Sequence, residues 1–248
     1  MIRTRKAYIC IFDYPDDLDV EKYARYLPRV RAEKMMKISH EGARRQSMAA
    51  EFAYRAARIA AWKDVSLRGE QLFMEDPAEW TAGDYCYGTN GKPELSLGFM
   101  SITHTDGVAA AAFSFAPVGI DAEAYRNVNE KLAKKALAPC EYERWQKADD
   151  RSLAFLYNWT AKESYLKLTG EGIGGGMAEV MIDPFAKTVT KPNTDRRCRY
   201  TQLMLKDEDG STGKTRAILT VCCDPGIEPV FIWFSDPIRL LIYLNMLR

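Results

Sequence analysis

The chain opens on an apolar, β-rich run at residues 6–13, KAYICIFD, which predicts a first strand. Residues 18–27 read as a short helix ended by Pro28. Residues 29–62 read as a helical stretch rich in Ala, Met, Arg and Glu, broken near 39–42. Residues 85–93, YCYGTNGKP, hold turn chemistry. Strand patterns follow at 98–104 and 108–115, joined by the short segment THTDG, with another at 118–123. Helical patterns at 129–138 and 141–147 are split by Pro139. Residues 150–168 form the strongest helical pattern, which stops at the glycine run GEGIGGGM. From 179 to 234 the pattern alternates and turns like a β-meander, and the apolar tail at 237–248 fits either a helix or a strand. Strand, helices, strands therefore occur twice. This order predicts an α+β fold of two halves, 1–116 and 117–248, meeting near Ala116-Pro117 without a low-complexity linker.

Composition narrows the function classes. With 248 residues, 47% hydrophobic and 28% charged, the chain is long enough to bury a sizeable core. A formal net charge of +1 gives no global field for nucleic acid or a membrane surface, so an anion site must arise by local clustering. No apolar run approaches the roughly 18 residues of a membrane span. The N-terminal apolar stretch is broken by Asp13 and Pro15, which reads as a strand and not as a signal peptide. The six cysteines form no C-x-x-C pair, so the expectation is a cytoplasmic protein with reduced thiols.

Five places carry candidate chemistry. In VGIDAEAYR, Asp121 and Glu123 lie two apart on a strand and share a face, where they fit either a magnesium site or a solvated strand end. In LAFLYNWTAKESYLKLTG, Glu163 falls on the apolar stripe of Phe155, Leu156, Trp159 and Leu166. A carboxylate there needs a partner. Lys167, four residues on, offers an intrahelical salt bridge; alternatively Glu163 is a third oxygen ligand and Lys162 and Lys167 bind phosphate. His104, between Thr103 and Thr105 at a strand end, reads as a turn residue or as an anion contact. The stretch 29–45 has six basic residues, Arg29, Arg31, Lys34, Lys37, Arg44 and Arg45, against two acidic ones, as on a solvated helix face or around a phosphate-rich small ligand. Lys92 projects from the Asn90-Gly91 turn.

Taken in order, NGKP, THT, VGIDAE and WTAKESYLKLTGEGI resemble the 4'-phosphopantetheinyl transferase superfamily, in its surfactin-type branch, over roughly residues 25 to 175. Two signatures of that family are complete here: Gly119-Ile120-Asp121-Ala122-Glu123, and Trp159, Lys162, Glu163 and Lys167. Thr103 and Thr105 stand where the family has serines and keep the hydroxyls, while Ala122 leaves a coordination place to water.

The resemblance implies two pseudo-symmetric α+β halves with the active site in the cleft between them. It implies magnesium-dependent transfer of 4'-phosphopantetheine from coenzyme A to a serine of an apo acyl or peptidyl carrier protein, releasing adenosine 3',5'-bisphosphate. Asp121, Glu123 and Glu163 would hold Mg²⁺, with Lys167 at the phosphates and Lys162 nearby. Thr103, His104, Arg45 and Lys34 or Arg31 would take the 3'-phosphate, and Asn90, Gly91, Lys92 and Pro93 would border the adenine. Glu163 is also the candidate general base, acting on the serine directly or through a water. The segment 125–137 mixes apolar residues with Arg126, Lys131, Lys134 and Lys135, as in an amphipathic helix or a docking face for an acidic carrier.

A monomer is expected, with neither nucleic acid nor membrane as partner. A catalytically silent module that binds coenzyme A or the carrier is the competing expectation, and three intact carboxylates count against it. A different phosphotransferase is disfavoured because no G-x-x-x-x-G-K-[ST] loop occurs.

Overall fold

The computed structural model describes residues 5–67, 85–87, 93–172, 174, 176–192, 194–206 and 214–244. It divides into two compact α+β units, Met1–Ala116 with Glu228–Arg248, and Pro117–Ile227.

In the first unit, strand β1 (Lys6–Asp13) leads through helices α1 (Val20–Ala24) and α2 (Arg29–Met36) into the long helix α3 (Glu41–Leu67). Asp19 caps α1, its side chain accepting from Lys22 N. The break expected near 39–42 is the α2–α3 corner, where Ala43 N donates to His40 Nδ1 at 3.4 Å. Short strands β2 (Tyr85–Tyr87) and β3 (Pro93–Leu95) pair with each other. Strands β4 (Phe99–Thr105) and β5 (Val108–Ser114) form the expected hairpin, and β5 returns antiparallel to β1. The Ala109–Ala112 run of β5 is wholly buried, as are Ala49, Ala53, Ala56 and Ala57 of α3, which packs on this sheet. Small side chains on both surfaces let helix and sheet approach closely, and Phe12, Met48, Phe52, Met100 and Phe113 fill the space around them.

The second unit repeats this order. Strand β6 (Val118–Ala124) leads through α4 (Glu130–Ala136) and α5 (Pro139–Gln146) into the long helix α6 (Arg151–Thr169). Pro139 opens α5 instead of merely interrupting a helix, since a first-turn N–H has no intrahelical partner to lose. A 3₁₀ turn at Met177–Glu179 precedes β7 (Met181–Asp183), β8 (Thr188–Thr190), β9 (Arg197–Lys206) and β10 (Thr215–Cys223). The antiparallel sheet runs β6-β10-β9-β8-β7, with α6 packed on β6 and β10.

The meander expected over 179–234 ends at β10. The last strand, β11 (Glu228–Phe234), pairs parallel with β1, Lys6 opposite Glu228, in the sheet β11-β1-β5-β4. Helix α7 (Pro237–Tyr243) follows, and the Lys63 ammonium lies 4.0 Å from the Tyr243 ring centroid. The closing segment Glu228–Arg248, expected with the second half, therefore belongs to the first unit. Among the described residues, no helix is long and apolar enough to cross a membrane.

Each unit also buries an ion pair between its short and long helices, with the signs exchanged. Arg31 of α2 meets Glu51 of α3 at 3.0 Å, with Arg55 on the other carboxylate oxygen at 3.1 Å. Glu141 of α5 meets Lys162 of α6 at 2.6 Å.

Candidate active site

The second unit gathers the carboxylates. Alternation along β6 turns Gly119, Asp121 and Glu123 to one face, and that face meets α6. On α6 the residues Trp159, Glu163 and Lys167 are each one turn apart and form a single stripe. Strand and stripe run in opposite directions and interlock. Trp159 Nε1 donates to Glu123 Oε1 at 3.1 Å, and Lys167 Nζ donates to Asp121 Oδ1 at 2.7 Å. Glu163, on the turn between Trp159 and Lys167, is 5% exposed. Arg126 closes the solvent side with a 3.5 Å contact to Glu123. Asp150 caps the N-terminus of α6 by accepting from Leu153 N, and Gly170, at φ 81°, ends the helix in the left-handed conformation.

The electrostatics follow from this geometry. Burial pushes the Glu163 carboxyl up to about 7; Asp121 and, more weakly, Glu123 add to this, and Lys167 opposes it. Burial and then Asp121 raise Glu123 above the usual carboxylate range, against Arg126, the Trp159 indole and Lys167. A proton on Glu163 is thus held more tightly in the folded chain than at its ordinary value of 4.5. The sign is that of destabilisation with rising pH: the metal-free protein should lose stability between about pH 4.5 and pH 7 through this group, and level off above. Glu163→Gln should flatten that part of the curve and be the more stable protein at about pH 8, as read from urea melts in EDTA. A wild-type slope identical to that of Glu163→Gln would contradict the placement of Glu163 between the two other carboxylates.

The three carboxylates fit a magnesium ion by donor chemistry, since they are hard oxygen ligands whose charges burden one another. Among the described residues, no three ligating side chains are closed into a ready cation cage. A cation is nevertheless present beside these carboxylates, the ammonium of Lys167 on Asp121. Lys167 was expected to pair with Glu163 one turn away or to bind phosphate; it lowers the Glu163 pKa and also has an ion partner, Asp121, across the strand–helix contact.

Lys162 is a correction. Expected beside the phosphates, it is wholly buried, bonded to Glu141 and donating to Ala136 O at 3.1 Å and Met177 O at 3.2 Å. One residue along a helix is a rotation of about 100°, so Lys162 leaves the stripe that Glu163 occupies. Burial lowers its pKa while Glu141 holds its charge. Removing one partner of such a pair costs about 3–5 kcal/mol. Lys162→Ala should therefore unfold in less urea, and loss of activity at unchanged stability would restore the phosphate role.

In the first unit, Thr103 is buried on β4, His104 is exposed at its end, and Tyr14 donates to Thr105 O at 3.2 Å. Burial and Asp106 push the Tyr14 phenol up to about 12, with Arg45 opposing, so Arg45 shares this neighbourhood. Arg45 is partly buried on the first turn of α3 and contacts Glu41 at 3.4 Å. Lys34 is exposed on α2, while Arg31 is tied to Glu51. Asn90, Gly91 and Lys92 lie outside the described residues, and Pro93 begins β3. The parts that residue spacing did not reveal are the indole donor of Trp159 and the carboxylate of Glu141. The first had a signal in its place one turn before Glu163; the second, in another helix, had none.

A family model of the 4'-phosphopantetheinyl transferase superfamily matches residues 117–222. HetI, a 4'-phosphopantetheinyl transferase of Nostoc, is 35% identical over 117 residues, 43% of this chain and 48% of that one. A putative 4'-phosphopantetheinyl transferase of Synechocystis is 32% identical over 109 residues, 40% of this chain and 44% of its own length. The transferase Sfp of Bacillus subtilis is 29% identical over 89 residues, 35% of this chain and 40% of Sfp. The chain thus spans less than half the length of each of these relatives. The stretch that interlocks Asp121, Glu123 and Glu163 thus lies within the residues, 117–222, that are similar to the 4'-phosphopantetheinyl transferase superfamily.

Proposed function

We propose that this protein transfers 4'-phosphopantetheine from coenzyme A to a serine of an apo acyl or peptidyl carrier protein in the cytoplasm. The observation that carries this reading is the set of three neighbouring carboxylates, Glu123 held by Trp159, Asp121 by Lys167 and Glu163 buried beside them, within the family-matched stretch. Asp121, Glu123 and Glu163 would hold magnesium, which when bound supplies positive charge to the phosphate being displaced. Lys167, with its ammonium already beside Asp121, would turn to the coenzyme A phosphates. The serine oxygen bonds to the phosphorus that bears the pantetheine arm. The bond from that phosphorus to the bridging oxygen breaks, and adenosine 3',5'-bisphosphate leaves. The serine proton goes to Glu163, directly or through a water.

Arg45, Thr103 and His104 would take the 3'-phosphate. Arg45→Ala should weaken coenzyme A about tenfold while leaving 3'-dephospho-coenzyme A nearly unchanged, the scale of one hydrogen bond to a charged group. Equal losses on the two would remove Arg45 from the 3'-phosphate. Exposed Lys131, Lys134 and Lys135 on α4, opposite buried Ala133 and Ala136, would steer an acidic carrier, with the protein acting as a monomer. The reading is tested by chromatography of the small-molecule products: adenosine 3',5'-bisphosphate must form in step with carrier consumed. Coenzyme A that binds and stays intact would instead identify a silent binding module.

A further inference from the structure

A cavity of about 460 Å³ opens in the second unit between α5, α6, β9 and the β7–β8 hairpin. That is the size range of small-molecule sites. Its walls are aromatic, from Trp145, Tyr157 and Tyr200, with the cations Arg144 and Lys187 and the amide of Gln202. None of its lining residues is acidic.

Three features make this a built site and not a surface dent. First, a cation faces one of the rings. Lys187 Nζ lies 5.6 Å from the Tyr200 centroid. Burial pushes the Tyr200 phenol up to about 12, Asp183 adds to this and Arg144, which also lines the cavity, opposes it. Second, the neighbouring acid is anchored in the hairpin turn: Asp183 Oδ1 accepts from Phe185 N at 3.0 Å and Ala186 N at 2.9 Å, and Asp183 does not line the cavity although its charge reaches Arg144. Third, Gln202 is fixed. Its Nε2 donates to Tyr157 O at 2.7 Å and to Thr220 Oγ1 at 2.9 Å, which commits the donor end of the amide and leaves the carbonyl end for a ligand donor.

We propose that this cavity binds a small aromatic anion that also carries a hydrogen-bond donor, its ring against Trp145 and Tyr200 and its charge toward Arg144 and Lys187. The aromatic walls supply apolar contact, and the exposed cations choose the sign of the charge. The inference does not rest on the transferase reading, because none of the carboxylate, indole or ammonium groups of the candidate active site lines the cavity.

The test is calorimetric titration with 6-hydroxy-2-naphthoate, beside the uncharged 2-naphthol, on the wild type and on the double variant Arg144→Gln, Lys187→Gln. Both substituted residues are exposed, so melting should not change. The expected result is one saturable site with Kd below about 1 mM. The double variant should bind the naphthoate at least about fivefold more weakly, with 2-naphthol unaffected. No saturable heat to about 5 mM, naphthoate affinity unchanged in the double variant, or 2-naphthol bound as tightly as the naphthoate would each overturn the proposal.

Discussion

Replacing Gly119 by alanine is expected to abolish folding of the second unit. A Cβ at Gly119 would sit 1.8 Å from Ser164 O and 2.6 Å from Leu168 N. Both are backbone atoms of α6, so relief requires moving the helix off the strand. That motion would break the contact that aligns Trp159 with Glu123 and Lys167 with Asp121. The cost should exceed about 4 kcal/mol, the range reserved for gross overpacking. It would be read as lost soluble yield or a collapsed thermal transition. Gly42→Ala is the control, since there the added carbon meets only the His40 imidazole, at 3.1 Å, and the change should be mild. A well-folded Gly119→Ala protein with normal melting would contradict the close approach of β6 to α6. The first glycine of the motif is therefore explained by packing: it sets the distance at which the two following carboxylates face the helix.

Asp121→Ala is expected to lower transferase activity by about a thousandfold, the effect of withdrawing several kcal/mol of charge stabilisation from a phosphoryl transfer. The fold should survive, because the Lys167 ammonium left without this carboxylate is partly exposed and can be hydrated. Initial rates with saturating coenzyme A and carrier, beside a thermal melt, separate the two effects. Activity within tenfold of wild type, with unchanged magnesium dependence, would remove Asp121 from the site.

Much of this site was legible because it depends on local periodicity. A two-residue period puts Asp121 and Glu123 on one face. A turn of about 3.6 residues puts Trp159, Glu163 and Lys167 on one stripe. What periodicity cannot supply is the pairing across elements. Lys167 was equally placed to meet Glu163, and only the opposed directions of β6 and α6 bring it to Asp121. Lys162 shares a motif with Glu163 but faces the core, where its partner Glu141 comes from another helix. The same limit applies to the fold. Hairpins such as β4–β5 carry their turn in the sequence, whereas the parallel pairing of β11 with β1 has no turn to betray it. The closing segment consequently read as part of the meander before it.

The most direct measurement is the intact mass of an apo carrier protein after incubation with this protein and coenzyme A, with magnesium and with EDTA. The account predicts a magnesium-dependent gain of one phosphopantetheine on the carrier, lost in Asp121→Ala. No gain across several acyl and peptidyl carriers, with coenzyme A bound normally, would contradict it.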